Sequence, residues 1–80
     1  MGFCMPRIAE IDGIVISVNF EDHAPPHFHA RYQGESISVE IETGNVIGSM
    51  SARNLRKFEL WRVSHLGFLR AKWREYGGAL

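Results

Sequence analysis

His27-Phe28-His29-Ala30-Arg31-Tyr32-Gln33-Gly34-Glu35-Ser36-Ile37-Ser38-Val39-Glu40-Ile41-Glu42 reads as two strands folded back on each other at Gln33-Gly34. Residues alternate between faces along a strand, so His27, His29 and Arg31 share one side while Phe28, Ala30 and Tyr32 share the other. The second strand, Ser36 to Glu42, alternates cleanly and turns Ile37, Val39 and Ile41 toward a core.

The same grammar extends in both directions. Upstream, Ile8 and Ile11 precede an Asp12-Gly13 turn signal, and Ile14-Val15-Ile16-Ser17-Val18-Asn19-Phe20 is rich in β-branched residues, so Ile8 to Phe20 reads as a hairpin. Downstream, Thr43-Gly44-Asn45 is a third turn and Val46-Ile47-Gly48 is long enough only for a short edge strand. Ser49 and Ser51 are candidate helix caps. From Ala52 to about Tyr76 the apolar period changes from two to that of a helix, gathering Leu55, Phe58, Trp61, His65, Leu66, Phe68, Leu69, Trp73 and Tyr76 on one broad face. Gly67 is a place where that helix can divide, and Gly77-Gly78 ends it.

The expected fold is therefore α+β: an antiparallel sheet of three to five strands with one face covered by a C-terminal helix. No linker or repeat interrupts the 80 residues, so residues 1–80 form a single domain, mostly strands over 5–48 and helix over 51–76. A core of this size is marginal, which makes a partner or homo-oligomer a natural source of further stability. With 45% hydrophobic and 22% charged residues the composition is that of a folded chain rather than a disordered one.

Lys+Arg and Asp+Glu each number 9, so the formal charge is zero, but Arg53, Arg56, Lys57, Arg62, Arg70, Lys72 and Arg74 crowd the last third. They serve either as the solvated side of a helix or as a nucleic-acid face. The single cysteine, Cys4, excludes an internal disulfide and fits a reducing cytoplasm. No apolar run approaches the roughly 20 residues of a membrane span, so no membrane association is expected.

Three of the four histidines fall in Asp22-His23-Ala24-Pro25-Pro26-His27-Phe28-His29, on a backbone that two prolines stiffen. Asp22 either caps a turn or orients His23. Three uses of the cluster follow from its chemistry. His23, His27, His29 and Asp22 have the donor types for a divalent ion such as zinc. His27 and His29, with His23 or Arg31, have the groups for acid–base cleavage of a phosphodiester. The same side chains also suit a protein interface. His65, in the middle of the helical apolar face, is either a core imidazole donating to a carbonyl or a further member of that site; alternation in the strand sends His27 and His29 away from it. Trp61 and Trp73 at helical spacing are core or interface anchors.

Met5-Pro6, Ile11-Asp12-Gly13-Ile14, the octapeptide Asp22 to His29, the Gly34 turn, Ile41-Glu42-Thr43-Gly44 and the helix with Trp61, His65, Leu69 and Trp73 together resemble a family of small prokaryotic domains of unknown function. Against that pattern Met1-Gly2-Phe3-Cys4 is an N-terminal extension. The resemblance implies a gene arrangement similar to toxin–antitoxin pairs, with a small protein partner from a neighbouring gene, and it marks Asp22, His23, Pro25, Pro26, His27 and His29, with His65 and Trp61 on the helix. The expected function is a cytoplasmic component of such a pair that binds its partner through the histidine segment.

Overall fold

The computed structural model describes residues 7–19 and 24–77. Five strands, β1 (Arg7–Ile11), β2 (Ile14–Ser17), β3 (His27–Tyr32), β4 (Glu35–Glu40) and β5 (Val46–Gly48), form one antiparallel sheet in sequence order. Two helices follow, α1 (Ala52–Ser64) and α2 (Leu66–Lys72), and the chain closes on a π-helical turn, Trp73–Gly77. This is the expected α+β architecture at the upper end of the expected strand number.

Two-residue turns set the register. Asp12 and Gly13 have φ of 49° and 87°, and Gln33 and Gly34 have 47° and 83°, the pair of positive φ values that matches the twist of a tight hairpin. The β3–β4 turn makes Tyr32 face Glu35, and the pairing runs from there to His27 opposite Glu40. One more backbone bond, from Ile41 N–H to the Pro26 carbonyl at 3.0 Å, carries the register past the strand ends.

One sheet face holds Ile14, Ile16, Val18, Phe28, Ala30, Ile37, Val39 and Ile41, all buried. Phe58, Leu69 and Trp73 of the helical layer, with Met50 from the connection, complete that core. Phe28 sits edge-on to Phe58 and Trp61, with ring centroids 6.3 Å apart in each case. Ser51 caps α1 by accepting a bond from Asn54 N–H at 3.2 Å.

The single helix expected from the sequence is divided, and the division falls at His65 rather than at Gly67. His65 has φ −129°, outside helical values, and its N–H closes on the Arg62 carbonyl at 3.0 Å. That break rotates the second helix relative to the first, so the continuous projection that put His65 in the apolar face no longer applies. His65 is exposed; its ring stacks on Trp61 at 4.6 Å and its Nδ1–H donates to the Trp61 carbonyl at 2.8 Å. The carbonyl bond is the expected one, but the location is the surface.

The core face of α1 contains one cation. Arg62 is 6% exposed and spans three acceptors: Nη1 donates to the Ile41 carbonyl at 2.6 Å, while Nε and Nη2 grip both oxygens of Glu59 at 2.9 and 2.6 Å. The hydrogen bonds hold the Glu59 carboxyl below its ordinary value; burial works the other way, and the charge of Arg62 adds to the lowering. Arg70 of α2 makes a second fork, to Glu42 at 2.7 and 2.8 Å. Both helices thus fasten the turn between β4 and β5.

Candidate functional site

The outer sheet face follows from the register. Ser17, His29, Ser38 and Ile47 lie in one cross-strand row, and His27 stands opposite Glu40, itself backbone-bonded to Asn45. His27 and His29 lie edge to face with centroids 5.1 Å apart, so alternation along β3 does bring these two together.

His27 is fixed from two further directions. Its Nδ1 lies 2.8 Å from the Pro25 carbonyl. A carbonyl only accepts, so Nδ1 carries the hydrogen and Nε2 is the basic nitrogen of the neutral ring. The indole of Trp73 packs 5.3 Å away at an inclination of 47°. The sequence marks Trp73 as a core anchor, and it is buried; it also reaches the end of the sheet and touches His27. Gly77 allows this, since a Cβ there would lie 2.5 Å from the Trp73 ring and 2.9 Å from Val18.

Beside His27 opens a groove of about 520 Å³, walled by Ala24 and Pro25 on one side and by Asn45, Val46 and Ile47 on the other, over Ser38, Val39 and Glu40. Arg31 is on the same face but belongs elsewhere. It is exposed in a second groove with Gly13, Tyr32 and Ser36, at the hairpin end of the sheet. Four residues of extended strand separate it from His27, about 13 Å at 3.3 Å per residue. His65 packs instead in an aromatic group with Trp61 and Phe68 on the helices. Asp22 and His23 lie outside the described residues, and among the described residues no group of three His, Cys, Asp or Glu side chains is placed to hold a metal.

The groove's far wall escaped the sequence reading. The sequence marks Ile47 only as part of a short edge strand, yet it is 76% exposed beside the histidine face. Its outward position was a consequence of pairing, because the row through His29 and Ser38 ends on it.

Comparison with known protein families matches residues 13–74 to Domain of unknown function (DUF4160). The chain belongs to this family. The matched span runs from the first hairpin turn of the DUF4160 domain to Arg74, taking in both histidines, the groove and both helices. No curated protein and no solved structure matched the chain. Among the described residues of this DUF4160 domain, no helix is long and apolar enough to cross a membrane.

Proposed function

We propose that this DUF4160 domain is the protein-binding component of a toxin–antitoxin-like pair in the cytoplasm, and that an extended segment of its partner docks along the open edge of β5, reaching over Ile47 toward the groove beside His27. The observation that carries the reading is the edge of the sheet. Glu40 N–H bonds to the Asn45 carbonyl. Pairing then alternates along the ladder, so Ile47 turns its backbone groups toward β4, whereas Val46 and Gly48 turn theirs outward. An incoming strand finds two donors and two acceptors there, on the side of β5 away from β4, and Ile47 stands between it and the groove whose opposite wall is Pro25 and His27. The family resemblance supports the gene-pair context.

The test is co-expression with the neighbouring gene's product, followed by size-exclusion chromatography. The parent is expected to co-elute with it in a stoichiometric complex, and Ile47→Asp is expected to abolish that complex while melting like the parent. Separate elution of the two parents, or a complex indifferent to Ile47→Asp, refutes the reading.

A second reading rests on the His27 orientation. An imidazole whose Nδ1–H is tied to a carbonyl presents Nε2 in the manner of a metal ligand, and His29 lies beside it. Asp22 and His23 supply the further donors that a divalent ion such as zinc wants. Elemental analysis of tag-free protein decides it: about one equivalent of metal in the parent, and none in His27→Ala/His29→Ala, is the expected result. The same double variant, assayed on RNA, tests phosphodiester cleavage by the pair.

A further inference from the structure

The side of α1 turned away from the sheet has a composition of its own. Arg53, Arg56, Leu60 and Val63 follow one another at spacings of three, four and three residues, which confines them to an arc of about 80°. Phe58 and Arg62, buried against the sheet, lie on the opposite side of the helix. Leu60 is 69% exposed and Val63 51%, two branched apolar side chains one turn apart in water.

The cations on this stripe differ from most others of the helical layer, and only Arg74 of the final turn resembles them in meeting no carboxylate among the described residues. Lys57 pairs with Asp12, Arg62 with Glu59, Arg70 with Glu42 and Lys72 with Glu75. Arg53 and Arg56 have no carboxylate partner among the described residues. They also occupy the beginning of α1, whose first turn has no acidic residue, so two positive charges sit at the positive end of the helix dipole. An anion brought to this position is favoured by both guanidiniums and by the dipole.

We infer that the outward stripe Arg53-Arg56-Leu60-Val63 is a docking surface for an acidic amphipathic helix of a partner protein, with two carboxylates one turn from two apolar residues. Charge complementarity selects this occupant. A second copy of the chain would bring the same arginines, and the stripe contains no carboxylate to meet them. A nucleic acid would satisfy the arginines but leave Leu60 and Val63 facing phosphate. An acidic helix satisfies both halves, its ridge packing along the exposed side chains of α1. The surface is separate from the groove at His27 and stands independently of the function proposed for it.

The probes are two designed helical peptides of 18 residues with the same apolar stripe, one bearing glutamates and the other lysines at the flanking positions, titrated into the ¹⁵N-labelled full chain. The glutamate peptide is expected to give saturable shifts at the amides of residues 53–63 and to bind at least about tenfold more tightly than the lysine peptide, the worth of two exposed ion pairs. Arg53→Glu/Arg56→Glu should remove that preference, and Leu60→Ser/Val63→Ser should weaken both peptides. All four positions are outside the core, so thermal melts should match the parent and separate lost binding from lost folding. Ile47→Asp should bind the glutamate peptide like the parent, which keeps this surface distinct from the groove. Equal binding of the two peptides, shifts centred on β5, a Leu60-dependent dimer without peptide, or tighter binding of single-stranded RNA at the same amides overturns the proposal.

Discussion

The turn at residues 41–44 and the strand β5 that follows it are adjacent in sequence and held in place by different means. Five hydrogen bonds from two arginines lie on or behind the turn: Arg62 reaches the Ile41 carbonyl and clamps Glu59, and Arg70 takes both oxygens of Glu42 only at the surface. β5 is exposed at all three residues, held by its single ladder to β4. The contrast teaches where this small domain fixes its geometry. Two of the seven cations that look like a nucleic-acid face in composition, Arg62 and Arg70, anchor one turn, and the anchored turn leads into an open strand at the edge of the sheet, across the groove from His27.

Breaking the anchor should have the largest effect. Arg62→Ala removes a buried cation from between three acceptors, strands the Ile41 carbonyl and leaves a cavity under α1. A loss of about 2–4 kcal/mol is expected, which for a domain of this size lowers Tm by about 10–25 °C. Circular-dichroism melts check it, and hydrogen exchange should show the β4–β5 amides becoming labile before those of β2 and β3. Arg62→Lys keeps the charge without the fork and should fall between. A melt within a few degrees of the parent for Arg62→Ala would show that the turn does not depend on the clamp.

Gly44 sharpens the same comparison at a smaller scale. Its φ is +82°, and a Cβ there would lie 2.9 Å from Arg62 Nη2. Gly34 has nearly the same φ, +83°, with nothing within 4 Å of such a Cβ. Gly34→Ala should therefore report the backbone cost alone, about 1 kcal/mol, and Gly44→Ala that cost plus displacement of the guanidinium, about 2 kcal/mol. In an Arg62→Ala background the excess at Gly44 should vanish, a coupling that a double-mutant cycle in urea measures directly.

Much of this was legible before any coordinates. A two-residue turn at Gln33-Gly34 fixes the partners on either side, so pairing His27 with Glu40 and His29 with Ser38 is arithmetic once the turn is recognised. The face shared by the two histidines, the buried Ile37, Val39 and Ile41, and the short β5 follow from the same period. The signal for Arg62 was present but discordant: position 62 continues the spacing of Leu55 and Phe58 into the core, and a pattern built from apolar residues passes over a cation there. Its acceptor on Ile41, 21 residues away, depends on how helix and sheet pack, and no local rule supplies it. The break at His65 was hidden because nothing in Ser64-His65-Leu66 forbids a helix; the imidazole bonds the Trp61 carbonyl and the chain reorients. Trp73 beside His27 likewise needed the π-helical turn that carries it to the end of the sheet.

Acid should erode the anchored turn gradually, and this is the smallest effect. Glu59 is lowered chiefly by its hydrogen bonds to Arg62, and Glu42 chiefly by those to Arg70, in each case with charge adding and desolvation opposing. A carboxyl held below its unfolded value contributes stability that is complete above about pH 4.5 and disappears as pH falls through the folded value. Tm should thus be flat from neutrality to about pH 5 and decline below it. Glu59→Gln should start lower at neutral pH and show the shallower decline, because its share of the proton linkage is gone. Glu42 is at the surface, where solvent screens its ion pair with Arg70, so Glu42→Gln should change the acid slope less than Glu59→Gln, and salt should narrow its difference from the parent first. The reverse order would place the hold on the β4–β5 turn in Arg70 of α2 instead of the buried fork of α1.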